Sequence, residues 1–372
     1  MLIGVPKEIK TDEYRVGIVP DTVFQLSALG HEVEVETGAG EGAGIDDRQF
    51  ISAGGRIVAA AEDIFRRADL IVKVKEPQPA ERRMLRRGQM LFTYLHLAPD
   101  LEQTLDLMAS GVTAIAYETV SDAAGRLPLL APMSKVAGRM AAQVGAHFLE
   151  RPQGGRGVLF GSVDSSPPAH VVILGGGVVG TAAADVAIGM GAQVTIVVHG
   201  EDSARRLLQQ YGARAHVVVG SDETRVRLCL EADVLIGAAL VAGAAAPKLV
   251  SAATVARMRQ GAVLVDVSID QGGCAETSRP TTHSEPTYTV GGVVHYCVAN
   301  MPGAVPRTST FALNAATAPY ILDIANKGFP RAFADSAALR AGLNVVDGRI
   351  TCEAVAQALH LPYVRAQDAL DA

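Results

Sequence analysis

Short apolar runs alternate with helical stretches from the first residues onward. LIGV (2–5), EVEVE (32–36), LIVKVK (70–75), MLFTYLH (90–96) and VTAIAYE (112–118) read as strands. Strands that recur with helical text between them predict a mostly parallel sheet covered by helices, with ligands approaching the carboxyl ends of the strands. A turn-rich passage, RPQGGRG (151–157) and SVDSSPPAH (162–170), precedes a second series: VVIL (171–174), VTIVV (194–198), HVVV (216–219), VLIGA (234–238), AVLVDV (262–267) and VVHYCVA (293–299). After about residue 305 the text turns helical, with FALNAATAPYILDIANKG (311–328) and two shorter amphipathic stretches, which predicts helices returning to the first domain. The expected fold class is α/β, with two doubly wound Rossmann-like domains. One covers 1–130 and 305–372, and the other, over 131–304, is inserted into it.

Composition narrows the function classes. At 372 residues the chain exceeds what one core organises, and 49% apolar with 19% charged residues is the balance of a folded α/β protein. A net charge of -6 gives no footprint for nucleic acid or anionic membranes, so small molecules are the expected partners. No charge-free apolar run reaches membrane-spanning length, and MLIGVPKEIK is unlike a signal peptide, which together predict a cytoplasmic protein. Cys229, Cys274, Cys297 and Cys352 lie far apart with no CxxC, as reduced thiols do, and no metal is expected.

The segment AHVVILGGGVVGTAAADVAIGMGAQVTIV places Gly175, Gly177 and Gly180 in G-x-G-x-x-G spacing, after an apolar strand and before an alanine-rich helix. That context is what a dinucleotide pyrophosphate needs: a tight turn, close backbone approach, and a helix N-terminus. An acidic residue for the ribose hydroxyls is expected about twenty residues on, yet the second strand ends in Val197, Val198, His199 and Gly200. His199, or Arg205 and Arg206 opening the next helix, could attract a 2′-phosphate, and the two arginines otherwise read as a solvated face.

Candidate chemistry sits just after strands. Arg15 follows the first and offers a bidentate fork for a carboxylate, while Lys73 and Lys75 alternate along the third, either as point charges for an anion or as a solvated edge. His96 ends LFTYLH, where an imidazole exchanges protons near neutral pH or is simply a half-buried side chain. Asp270 in VLVDVSIDQGG, and Asn300 and Met301 in CVANMPGAVP, follow later strands, either beside a ligand or as ordinary loop punctuation.

Over essentially its whole length the chain resembles bacterial NAD-dependent alanine dehydrogenases. The matching segments are VKEP (74–77), LFT and LHLA within 91–98, AYETV (116–120), LPLLAPMS (127–134), VAGR (136–139), GGRGVL (154–159), VDVSIDQGG (265–273), SRPTTH (278–283) and YCVANMPGAVPRTST (296–310). The resemblance implies a substrate domain completed by the C-terminal helices, an inserted cofactor domain, and a homo-hexamer acting on L-alanine, pyruvate and ammonia. It implies Arg15 and Lys75 as binders of the substrate carboxylate and carbonyl, Asn300 beside them, and His96 with Asp270 as the proton-transfer pair. Ser134, Gly175, Gly177, Val178, Val179, Gly180, Val198, Ala239, Leu240, Val267, Ile269, Arg279, Val298 and Met301 would line NAD. Three positions depart from the family pattern. Val198 stands where an acidic ribose ligand is usual, which admits NADP; Lys135 replaces a glutamate, and Lys327 a histidine that some members link to a divalent cation. Two alternatives stay open: a related amino or imino acid dehydrogenase of the saccharopine or carboxyethyl-ornithine type, and a non-catalytic, transhydrogenase-like NAD-binding subunit.

Overall fold

The structure, a computed structural model, describes residues 1–239 and 246–371. The chain divides into two compact units, Met1–Met133 with Gly303–Ala372, and Ser134–Pro302. Fifteen strands are formed in chain order among the described residues: β1 Leu2–Val5, β2 Glu32–Glu36, β3 Arg56–Val58, β4 Leu70–Val72, β5 Met90–Thr93, β6 Thr113–Ala116, β7 His170–Leu174, β8 Gln193–Val198, β9 His216–Val219, β10 Val234–Gly237, β11 Val263–Asp266, β12 Thr287–Val290, β13 Val293–Tyr296, β14 Leu343–Val346 and β15 Arg349–Ile350.

In the first unit the sheet order is β15-β14-β6-β5-β4-β1-β2-β3. β1 to β6 run parallel, and the hairpin β14–β15 is added antiparallel beside β6. The central strands carry unbroken apolar runs because both faces are covered: Ile3, Leu70, Ile71, Val72, Leu91 and Phe92 are all fully buried. The sequence pattern suggested helices alone after 305, and the hairpin β14–β15 corrects this. A helix does run from Pro306 to Lys327, but LNVVDGRI folds as β14–β15 around Asp347 and Gly348, with φ of 45° and 78°. Positive φ at both central residues is what a two-residue hairpin demands, and the Asp-Gly pair was its signal.

The second unit has the order β12-β13-β11-β10-β7-β8-β9, parallel throughout except for β12. β12 pairs with β13 through a second such hairpin, turning at Gly291 and Gly292, and the apolar-run reading passed over it. Apart from these additions, both sheets wind the same way. Order reverses between β1 and β4 in one and between β7 and β10 in the other, the positions where doubly wound sheets open a crevice at their carboxyl ends. No helix among the described residues is long and apolar enough to cross a membrane.

Candidate functional site

In the first unit, the segments leaving β1, β4 and β5 hold the candidate side chains. Arg15 lies in a loop laid against the end of β4: a Cβ on Gly17 would stand 2.7 Å from the Val72 carbonyl oxygen. Its guanidinium is buried and forks onto Glu13, Nε to Oε1 at 2.6 Å and Nη2 to Oε2 at 2.5 Å, with Nη1 3.0 Å from the Met133 sulfur. The fork that the sequence offered to a ligand is thus taken on one edge by Glu13, which orients the group and offsets its burial.

Lys73 is not a solvated edge residue. Its Nζ, fully buried, donates to Glu8 Oε2 at 3.0 Å and Glu81 Oε1 at 2.7 Å. The same Glu8 carboxylate accepts the Val74 N–H at 2.6 Å and the Lys75 N–H at 3.4 Å, and Thr93 Oγ1 donates to the Lys75 carbonyl at 2.8 Å. The main chain on both sides of Lys75 is therefore fixed while its side chain stays half-buried. β4 ends at Val72 rather than at residue 75 because Glu8 takes these N–H groups from the ladder.

His96 lies beyond β5, not on it, with a φ of 50°. Glu118 explains the turn: it accepts the Leu95 N–H at 3.2 Å and the His96 N–H at 2.6 Å, and its Oε1 lies 3.8 Å from Nδ1. The imidazole stacks on Tyr94 with ring centroids 5.8 Å apart, and its side chain remains 46% exposed. A cavity of about 250 Å³ on this unit is lined by Lys7, Glu8, Glu13, Arg15 and Gly42 among others. Pattern reading missed Glu8, Glu13 and Glu118; their signal was acids flanking the cations just past strand ends.

In the second unit the glycine loop follows β7. Gly175 has a φ of 117°, and a Cβ on Gly180 would stand 1.9 Å from the Gly175 carbonyl oxygen. A Cβ on Gly177 would meet nothing within 4 Å, so space is open above the first turn of the helix Val178–Gly189, as a pyrophosphate requires. Val178 and Val179 begin that helix, Val178 exposed. We expect Gly180→Ala to cost roughly 1–3 kcal/mol through overpacking and to weaken dinucleotide binding; urea unfolding with a cofactor titration checks both, and an unchanged midpoint would contradict the close approach.

The remaining candidates lie past the neighbouring strands. Val198 ends β8, 5% exposed. Ala239 follows β10, its carbonyl accepting from Ser268 Oγ at 2.7 Å; Leu240 lies outside the described residues. Val267, Ile269 and Asp270 share the short turn Val267–Gln271, Ile269 buried and Asp270 exposed. This turn is strapped from both sides. Buried Asp266 accepts the N–H groups of Ser268, Cys274 and Ala275 at 3.1, 2.8 and 3.2 Å and the Ser278 hydroxyl at 2.6 Å. Lys248 Nζ donates to the carbonyls of Gly272, Gly273 and Ala275 at 2.6, 2.9 and 3.2 Å.

Val298 and Met301 are buried beyond β13, and Asn300, with a φ of 61°, accepts from His283 Nε2 at its carbonyl, 3.2 Å away. Arg279 lies over the Tyr288 ring, 4.1 Å from its centroid, and Ser134 is half-buried in the helix Ala131–Phe148. Lys135 is exposed, and Lys327 pairs with Asp323 at 2.9 Å and Asp335 at 3.4 Å. Among the described residues, no three His, Cys, Asp or Glu side chains gather as a metal would need.

Two family models match consecutive parts of the chain, the second running past Pro302 into the segment that returns to the first unit. The family model "Alanine dehydrogenase/PNT, N-terminal domain" matches residues 4–137, and "Alanine dehydrogenase/PNT, C-terminal domain" matches 141–353. The chain is 54% identical over 366 residues to an alanine dehydrogenase of Mycolicibacterium smegmatis, covering 98% of this chain and 99% of that protein. It is 53% identical over 372 residues to one of Bacillus subtilis, covering 100% and 98%. A solved L-alanine dehydrogenase superimposes with a TM-score of 0.94 at 52% identity, covering 97% of this chain and 99% of the other. A transhydrogenase from Sinorhizobium meliloti, 22% identical with a TM-score of 0.82 over 94% of this chain and 100% of its own, shares the fold.

Proposed function

Because the chain belongs to the alanine dehydrogenase/PNT family, we propose that it interconverts L-alanine with pyruvate and ammonia. In the forward direction a hydride passes from Cα of alanine to a nicotinamide dinucleotide. One observation carries this reading: relatives more than half identical over nearly their whole length are alanine dehydrogenases. NAD supplies the hydride acceptor when bound, and the open space over Gly177 with the buried turn at Gly180 suits its pyrophosphate.

The chain's own residues then have defined tasks. Arg15, oriented by Glu13, attracts the substrate carboxylate, and Lys75, its backbone held at N–H and carbonyl, places a second positive charge by the carboxylate and the forming carbonyl. Loss of hydride leaves an iminium at Cα. His96, half-exposed and fixed by Glu118, takes a proton from the water that adds to that carbon and returns it as the C–N bond breaks and ammonia leaves. Asp270 shares this proton traffic from its strapped turn, and Asn300 hydrogen-bonds the substrate. Ser134, Val178, Val179, Ala239, Leu240, Val267, Ile269, Arg279, Val298 and Met301 border the cofactor.

The test is spectrophotometric. NADH or NADPH oxidation should require pyruvate and ammonium together. Equal turnover with pyruvate alone would make the protein a lactate-type dehydrogenase. Self-association into a homo-hexamer is part of the same reading, supported by the family resemblance and by exposed Phe24, Leu29 and Ile51 on the first unit. A cytoplasmic location accords with four free thiols.

A further inference from the structure

We infer that the end of β8 and the helix Glu201–Tyr211 form a subsite for the 2′-phosphate of NADP(H), with Arg206 as its principal contact. The inference rests on the dehydrogenase reading only for the class of dinucleotide.

Doubly wound sheets distinguish the two cofactors at the end of the second strand of the nucleotide-binding half. A carboxylate there accepts bonds from the ribose hydroxyls and repels a 2′-phosphate, whereas a nearby arginine accommodates it. Here the strand end is Val198. Its side chain is turned under the glycine loop, since a Cβ on Gly176 would meet Val198 Cγ1 at 2.7 Å and Leu207 Cδ1 at 2.6 Å. Valine so placed accepts no hydrogen bond from the ribose and carries no charge to repel a 2′-phosphate.

The neighbouring helix supplies the opposite charge. Leu207, fully buried, anchors it beneath Gly176, and this brings Arg206 over the loop. Arg206 Nη2 donates to the Gly176 carbonyl at 2.7 Å, which pins the guanidinium beside the glycine turn. One donor is used in that bond, and an arginine has five. The sequence left Arg206 between a solvated helix face and a phosphate contact; it is exposed, but it points back to the loop. Arg205 differs, because it pairs with Asp202 at 3.5 Å on the solvent side. The acids on this helix, Glu201 and Asp202, occupy its first turn, a full turn before Arg206, and His199 lies exposed at the strand end.

The experiment is a binding titration on the purified protein that reads the cofactor's own fluorescence, which no tryptophan of this chain overlaps. Wild type should bind NADPH within about a hundredfold of NADH, and 2′,5′-ADP should displace it better than 5′-ADP. Arg206→Gln should raise the NADPH-to-NADH ratio of Kd values by about tenfold or more, the scale of one charge-assisted hydrogen bond, with Arg206→Lys recovering part of it. Arg205→Gln should leave the ratio unchanged, and Val198→Asp should shift it toward NADH. The subsite is overturned if wild type rejects NADPH by more than about a thousandfold. It is equally overturned if Arg206→Gln weakens both cofactors alike, since Arg206 would then only brace the loop. Binding as expected, but with no turnover of pyruvate and ammonium, would sink the dehydrogenase reading and leave the subsite standing.

Discussion

Asp270→Asn and His96→Asn should each lower turnover of alanine by about 10²-fold or more while dinucleotide binding stays near wild type, the usual scale for lost acid–base catalysis. Asparagine suits both sites for structural reasons. At position 96 the backbone sits at a φ of 50°, which asparagine tolerates better than most residues, so Glu118 keeps its bonds to the Leu95 and His96 N–H groups. At position 270 the turn is held by Asp266 and Lys248, neither of which bonds the Asp270 side chain, so its charge is removed without loosening the loop. Steady-state kinetics alongside cofactor titrations measure the separation. Near-wild-type kcat in the His96 variant would show that the imidazole is only a packing partner for Tyr94.

The sequence reading succeeded where one local rule acts alone. Apolar runs at 2–5, 171–174 and 234–238 carry the doubly wound architecture because a strand buried on both faces has no freedom in its pattern. Glycine spacing at 175, 177 and 180 marked the tight turn between β7 and the next helix, because a Cβ at 175 or 180 would meet backbone and one at 177 would meet nothing. It failed where two distant segments decide together. The turn after β5 is set by Glu118, twenty-two residues beyond His96, and the burial of Lys73 by Glu8, sixty-five residues before it. No window of local periodicity contains such a partner. Arg206 is the intermediate case: its charge was visible, but its direction depends on Leu207 packing under Gly176.

The buried cation at position 73 gives the largest expected loss of stability. Lys73→Met should destabilise the first unit by about 3–5 kcal/mol, because it leaves the Glu8 and Glu81 carboxylates facing each other without the ammonium they share. Replacing all three residues together, Lys73→Met with Glu8→Gln and Glu81→Gln, should cost less than the single change, since no uncompensated charge then stays buried. The pH dependence separates this account from simple loss of packing. In the native protein burial pushes the Glu8 carboxyl up, against the pull of Lys73, and the two carboxylates together hold Lys73 above its ordinary value despite its own burial. A carboxyl raised on folding binds its proton more tightly in the native state, so stability falls as pH rises from the unfolded carboxyl value of 4.5 through the native one. Without Lys73 that window widens upward, and the variant should recover stability as the buffer is taken from pH 8 toward pH 5. The lysine's own contribution, present below its unfolded value of 10.5, is lost only in more alkaline solution and does not interfere. Urea midpoints at the two pH values test the argument. A Lys73→Met protein equally unstable at both, or no less stable than the triple variant, would mean that shape rather than charge holds this corner of the sheet and, with it, the backbone of Lys75.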